Sequence, residues 1–195
     1  MKIKSILFTV LLVLPSVAMA DDKAMDKPAD KAKASEKAKL SDDDVKVVSH
    51  VKHVNDMEIA MGKLAKTKGT ASVKAYGNTL VKDHTANNTK LAALAKKKGL
   101  ASIPAEEPAN EDQKLEHQKM MDGMAKLETL EGAAFDKELV TMMIEGHDKE
   151  VGRLDTAIAS AKDPDLVMHL KNTKPVVQRH ADAARELQKK SVSMK

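Results

Sequence analysis

Four ionisable residues stand where a helical core would normally carry apolar side chains: Glu58, His84, His147 and His180. Around each of them, residues suited to a buried face recur in alternating steps of four and three, which places them on one face of a helix. The segment 73–94 is the clearest case, because His84 lies in the middle of this row of residues, which we call the stripe of the helix. An unpaired charge in such a face is costly, so each of these residues requires a partner. They are the strongest indication of function in the sequence.

A glutamate and three histidines that meet in a helical core allow two kinds of chemistry. They provide a His3Glu ligand set for one divalent transition metal such as Zn, Cu, Fe or Mn. They could equally form a metal-free hydrogen-bonded network, in which protonated histidine offsets Glu58 with help from Asn87 and Thr173. The protein would then be a non-enzymatic structural or interaction module. Whether it is an enzyme stays open, because sequence shows neither an open coordination position nor a substrate cavity.

Two acidic residues are candidates for supporting roles. Asp83 precedes His84 but points about 100° away around the helix, where it could orient a histidine of a neighbouring helix. Glu150 lies one helical turn beyond the histidine of the third segment and could be an extra ligand or a group that supports one. In di-iron bundles a glutamate stands three residues before each histidine, whereas this chain has Val81 and Val177 at two such positions. The standard di-iron site is therefore not expected.

The apolar periodicity predicts an all-α protein with four long helices, at about 41–68, 70–98, 133–161 and 163–190. Ser41 is a typical N-terminal cap, as is Asp163 before Pro164, and Gly99 suits the left-handed position that ends a helix. The connections within the first and second pairs of helices are short, so we expect antiparallel pairs. The four ionisable residues then fall at similar heights. We expect them to meet inside an antiparallel, ferritin-like four-helix bundle over residues 41–190.

Prolines mark the irregular parts of this arrangement. Pro104 and Pro108 interrupt the segment 100–131, whose second half is helical but only weakly amphipathic. We interpret it as a long crossover from helix 2 to helix 3 that carries a short extra helix across one end of the bundle. Pro175 falls inside helix 4, little more than a turn before His180, and predicts a kink close to the proposed site.

Four other histidines lie off the four stripes, and we interpret them as surface residues: His50, His53, His117 and His169. Methionines at helical spacing, such as Met57 and Met61, are interpreted as core filling rather than as copper ligands. The chain has no phosphate loop and no dinucleotide fingerprint.

The N-terminus has the pattern of a secretory signal peptide over residues 1–20. Lys2 and Lys4 precede an apolar run, and Ala18-Met19-Ala20 provides a small-residue cleavage site. Residues 21–40 are rich in Ala, Lys and Asp without apolar periodicity, which is typical of a disordered leader. No later stretch is long and apolar enough to span a membrane. We expect a periplasmic protein that is soluble after cleavage.

Composition narrows the range of partners. The formal net charge of +4 is small, and one Tyr, two Phe and no Trp leave no aromatic set for stacking on bases. A nucleic-acid partner is therefore not expected. The chain has no cysteine, so its stability must come from packing rather than from disulfides.

The segments that carry these residues resemble a bacterial exported family of unknown function, domain of unknown function 4142, whose members are often labelled "predicted outer membrane protein". The matching stretches are NDMEIAMGKLA, VKAYGNTLVKDHTANNTKLAALAKKKGL, GAAFDKELV, MIEGHDKE and the helix containing Pro175 and His180. The resemblance spans about residues 41–187. It implies a ferritin-like four-helix bundle in the cell envelope, and it implies no established activity.

Overall fold

The computed structural model describes residues 39–193, which contain five helices and no strand. The prediction of an all-α protein is confirmed. The signal peptide (1–20) and nearly all of the leader (21–40) lie outside the described residues. None of the helices in 39–193 combines the length and the apolar character that crossing a membrane requires. The helices are α1 (Asp42–Lys68), α2 (Ala71–Lys97), α3 (Glu111–Thr129), α4 (Gly132–Ser160) and α5 (Pro164–Ser193).

The helix ends follow the capping residues of the sequence. The hydroxyl of Ser41 accepts a hydrogen bond from the backbone N–H of Asp44 at 3.2 Å, which begins α1. One carboxylate oxygen of Asp163 accepts from two backbone N–H groups at the start of α5, at 2.9 and 3.0 Å. Gly99 has a φ of +85° just after α2, a conformation that favours glycine. These three boundaries confirm the prediction.

Helices α1 and α2 approach closely through two glycines. A Cβ atom on Gly77 would lie 2.7 Å from the carbonyl oxygen of Gly62 and 2.6 Å from the Cβ of Ala65. A Cβ on Gly62 would lie 2.9 Å from the carbonyl oxygen of Gly77. Only glycine allows the two backbones to pack at this distance, and the contact fixes the axial register of α1 against α2.

Each of the four long helices packs mainly against two of the other three, and the contacting residues run in opposite directions along each pair. Helix α1 packs against α2 and α4, and α5 packs against the same two helices. Because α1 is antiparallel to both α2 and α4, these two point the same way. Two residue pairs establish the direction for each helix pair: Asn55–Asn88 and Gly62–Gly77 for α1 and α2, His50–Glu150 and Glu58–His147 for α1 and α4, Asp83–His180 and Lys97–Asp165 for α2 and α5, and Asp148–Arg185 and Asp155–Lys174 for α4 and α5.

Helix α3 lies along α1 and α4 rather than across an end of the bundle. Lys126 pairs with Glu138 at one end of its contact with α4, and Glu116 pairs with Arg153 at the other. Lys68 of α1 donates to the carbonyl of Glu128 at 2.9 Å. The expectation of a helix across the bundle end is wrong. Since α2 and α4 point the same way, the chain must return along the bundle, and α3 covers about 28 Å of that distance.

Within residues 39–193, the interior has two apolar clusters separated by a polar layer. One cluster contains Phe135, Leu80 and Met61. The other contains Leu91, Leu154 and Leu170. The buried residues between them form what we call the central polar layer: Asn55, Glu58, His84, His147, Glu150, Thr173 and His180. The four long helices all contribute to it, so the apolar stripes of the sequence are interrupted at one level.

Candidate metal centre

Three histidines from α2, α4 and α5 meet in the central polar layer. His84, His147 and His180 are 3%, 2% and 3% exposed. Their ring centroids are 6.3 Å apart for His84 and His147, 5.1 Å for His84 and His180, and 5.5 Å for His147 and His180. One ring nitrogen from each lies within 4.8 Å of one from the other two. The structure thus brings together three of the four residues singled out in the sequence.

Asn55 of α1 orients the ring of His84. Its side-chain Nδ2 donates to the amide oxygens of Asn87 and Asn88 at 2.8 and 2.9 Å, which fixes which end of the Asn55 amide is the oxygen. That oxygen lies 2.8 Å from Nδ1 of His84, so Nδ1 carries the proton and donates it. The other nitrogen, Nε2, is buried and has no hydrogen-bond partner among the described residues. Its lone pair is available to a ligand.

His147 is oriented by its own helix. Its Nδ1 lies 2.8 Å from the backbone carbonyl oxygen of Met143, one turn earlier in α4. A carbonyl oxygen can only accept, so Nδ1 carries a proton, and in the neutral imidazole Nε2 is then the nitrogen with the lone pair. This Nε2 is also buried, and the described chain offers it no hydrogen-bond partner.

Asp83 of α2 orients His180 of α5. The Nε2 of His180 donates to Oδ2 of Asp83 at 3.0 Å, which leaves Nδ1 as the nitrogen with a lone pair. Within residues 39–193 this Nδ1 has no partner, and it is buried. This hydrogen bond, which Asp83 accepts from a histidine of a neighbouring helix, is the one that the sequence suggested. All three rings therefore use one nitrogen for a protein hydrogen bond and leave the other unpartnered.

The environment keeps at least two of these imidazoles neutral near neutral pH. Burial, followed by the neighbouring rings of His180 and His147, lowers the pKa of His84 to about 3. Burial also lowers the pKa of His180, although the carboxylate of Asp83 opposes this effect. A neutral imidazole has the free lone pair that metal coordination requires.

Glu58 lies beside the three histidines and does not belong to the group within 4.8 Å. Its Oε1 is 3.9 Å from Nδ1 of His147, the nitrogen that donates to Met143, and its Oε2 is buried without a partner in the described chain. Burial raises the pKa of Glu58, and the nearby carboxylate of Glu150 adds to this effect while His147 opposes it. Glu58 is thus a buried carboxyl group at the edge of the site.

Glu150 is engaged by His50, which corrects the interpretation of His50 as a surface residue. His50 bridges two carboxylates, with Nε2 3.0 Å from Glu150 and Nδ1 2.8 Å from Glu106. Burial lowers the pKa of His50, but its hydrogen bonds to Glu106 and Glu150 outweigh this effect and raise the pKa to about 9. His50 is therefore a cation that neutralises a buried acid next to Glu58.

The other off-stripe histidines differ in their exposure. His117 is exposed, as expected, and its ring contacts that of His53 at 5.3 Å between centroids. His53 is about as buried as His50, with 27% of its side chain exposed against 24%, so the surface interpretation does not hold for it either. His169 is only 9% exposed, and its Nε2 has no partner among the described residues, so the surface interpretation was wrong for His169 as well as for His50.

Asn55 and Glu106 are the residues of this region that the sequence interpretation missed. The spacing contained a signal for Asn55, because it stands three residues before Glu58 and therefore on the same helical face. Glu106 lies in the irregular connection between α2 and α3. No periodicity could have assigned it to His50.

Comparison with known proteins identifies the family to which the chain is similar. The family model for domain of unknown function 4142 matches residues 29–187, which include all five helices up to the last turns of α5. No curated protein and no solved structure matches the chain significantly. Since the match covers most of the sequence, the chain belongs to this family, domain of unknown function 4142.

Proposed function

We propose that the protein is an exported, ferritin-like four-helix bundle that binds one divalent transition metal and serves metal handling or stress protection in the cell envelope. His84, His147 and His180 are the proposed ligands, with Glu58 as the candidate for a fourth donor. Asp83 supports the site by orienting His180, and Glu150 supports it beside Glu58. Zn, Cu, Fe and Mn are the candidate ions, and imidazole donors favour the first three.

One observation carries the proposal. Each histidine uses one nitrogen for a protein acceptor, and the other nitrogen is buried and unpartnered in the described chain. The three rings are close enough that one nitrogen of each lies within 4.8 Å of one nitrogen of each of the others. A buried polar atom without a partner is costly, and three in one place point to a missing ligand. A tetrahedral ion with bonds of about 2.1 Å holds its ligand atoms about 3.4 Å apart. Ring nitrogens that lie within 4.8 Å of one another could therefore reach this spacing through small side-chain movements.

The hydrogen bonds behind the ligands also favour a metal. Histidine ligands usually donate their second N–H to a carboxylate, a carbonyl or another fixed acceptor, which sets the tautomer. Here the three acceptors are the amide of Asn55, the carbonyl of Met143 and the carboxylate of Asp83. A bound ion would supply Lewis acidity or redox chemistry at this level, according to its identity.

The proposed fold and location rest on separate arguments. The closed order of contacts from α1 to α2, α5, α4 and back to α1, with a long return connection through α3, is what a ferritin-like bundle requires. The basic and apolar pattern of residues 1–20, with its small-residue cleavage site, supports export to the periplasm.

The test is the metal content of the full chain purified from the periplasm without chelator. We expect about one transition-metal ion per chain, and we expect His84→Ala and His147→Ala to lose it while remaining helical. His117→Ala is the matched control, because His117 is an exposed histidine outside the centre. The metal-free structural module would be favoured instead if the wild type bound no ion, even after addition of Zn2+, and the variants lost only stability.

A further inference from the structure

A cleft between α2 and α5 reaches the central polar layer at Thr173, which lines it. Its volume is about 210 Å3, and six of its eight lining residues have polar side chains. Asp83, Asn87 and Lys90 contribute from α2, and His169 and Thr173 contribute from α5. The cleft thus opens on the helix pair that carries His84 and His180.

Asp83 connects the cleft to the centre. Its side chain is 30% exposed and lines the cleft, while its Oδ2 lies 3.0 Å from Nε2 of His180. The side chain of His180 is only 3% exposed. One carboxylate therefore both lines the cleft and contacts a proposed ligand.

His169 gives the cleft a donor that the rest of the protein does not use. It lines the cleft, and its buried Nε2 has no partner in the described part of the chain. Burial lowers the pKa of His169, with a further contribution from Lys90, so the ring is neutral at neutral pH. A neutral, unpartnered imidazole is a ligand that transition-metal ions accept.

Helix α5, which forms one wall of the cleft, lacks a backbone hydrogen bond at this position. Pro175 lies between two lining residues, Thr173 and Val176, and it has no N–H to donate to the carbonyl of Lys171. Local opening of α5 therefore breaks one hydrogen bond fewer here than elsewhere in the helix.

We infer that this cleft is the access port through which a divalent transition-metal ion reaches the three-histidine centre, with His169 and Asp83 as the groups that it meets before His180. The inference rests on the proposed function, because a port requires a centre. It adds a route, a transient site for the ion and two residues with roles in uptake rather than in final binding.

The opposite side of the bundle offers a competing route that the contacts make less accessible. There, His50 lies between the surface and Glu58, and it is held by hydrogen bonds of 2.8 Å to Glu106 and 3.0 Å to Glu150. An ion on that side would have to break both bonds and displace a cationic imidazolium. The cleft between α2 and α5 requires neither.

The experiment measures the rate at which the metal-free full chain takes up Co2+, followed by the visible absorbance of the bound ion. Ala86 is exposed on α2 and lines the cleft, so Ala86→Trp should obstruct it. We expect uptake at least about tenfold slower with an unchanged final absorbance. Ala92→Trp is the matched control, since Ala92 is exposed on the same helix but lines a different groove.

A second variant tests the charge of the port. Lys90 repels a cation at the cleft, so Lys90→Gln should speed uptake by about two- to fivefold at low ionic strength. Wild-type rates in both Ala86→Trp and Lys90→Gln would overturn the port, as would slower uptake in His53→Gln on the opposite side. A wild type that never develops a Co2+ spectrum would contradict the centre and the port together.

Discussion

Asn55 holds His84 in the tautomer that a metal requires, although Asn55 itself is not a ligand. Its amide oxygen accepts from Nδ1 of His84 at 2.8 Å, and its amide nitrogen is fixed by two further asparagines. Asn55→Leu removes the acceptor and leaves a buried N–H unpaired. We expect Zn2+ affinity to fall about 10- to 100-fold in a competition titration against a chelating dye.

Two further variants make this prediction specific. Asn55→Asp keeps an oxygen acceptor opposite Nδ1 and should retain more affinity than Asn55→Leu. Asn78→Leu is the control, because Asn78 is exposed on α2. Equal affinities for the wild type and Asn55→Leu would show that the orientation of His84 does not matter for binding.

His50 makes stability depend on pH. Its pKa is raised to about 9 in the folded chain, against 6.5 for a free imidazole, because its bonds to Glu106 and Glu150 outweigh its burial. A raised pKa stabilises the fold fully below about pH 6.5, and this contribution is lost as pH rises towards 9. We expect His50→Gln to reduce the free energy of unfolding of the metal-free chain by at most about 3 kcal/mol at pH 6.

The effect should shrink as pH rises, and chemical denaturation at pH 6, 7.5 and 9 would measure it. His117→Gln serves as the control, because His117 is exposed. A His50→Gln difference that stayed constant between pH 6 and 9 would mean that His50 contributes by packing rather than by charge.

At the scale of the helix, the contact between α1 and α2 depends on glycine. Alanine has the better helix propensity by about 1 kcal/mol, yet a Cβ on Gly77 would lie 2.7 Å from the carbonyl oxygen of Gly62. Overpacking against backbone typically costs about 1–3 kcal/mol. We therefore expect Gly77→Ala to lower the midpoint of thermal unfolding. Gly152→Ala in α4 meets nothing within 4 Å and should raise the midpoint slightly. Equal shifts in the two variants would contradict this account.

The helices themselves were predictable, and their partners were less so. Capping at Ser41 and Asp163, together with regular apolar spacing, predicted the limits of the long helices, because these signals are local. Helix α3 was misplaced, since a weakly amphipathic segment does not reveal which neighbours it contacts. His50 and His169 were misassigned for a related reason. A helix with several neighbours buries a wider face than the single apolar stripe that its sequence shows, so residues beside the stripe are buried as well.

At the scale of the whole molecule, the central polar layer divides the apolar core in two, and all four long helices contribute residues to it. The three-histidine convergence was foreseen from one helical periodicity repeated in three segments. The burial of Glu58 at this level was foreseen in the same way. Its place outside the histidine group was not, because a stripe specifies a face and a height without specifying the rotamer of a long side chain. A layer of unpartnered nitrogens at this level should weaken the metal-free bundle, and a bound ion should reverse the loss.

Metal should therefore stabilise the fold as a unit. An ion that binds the folded chain alone adds RT ln(1 + [L]/Kd), or about 2.7 kcal/mol at a concentration one hundred times Kd. We expect Zn2+ to raise the midpoint of thermal unfolding of the wild type in a concentration-dependent manner, and we expect a chelator to reverse the increase. His180→Ala removes one donor and should abolish most of the shift, whereas the exposed-site variant His117→Ala should keep it. A shift of the same size in His180→Ala would place the stabilising ion elsewhere, because removal of one of three ligands must reduce binding to the folded state.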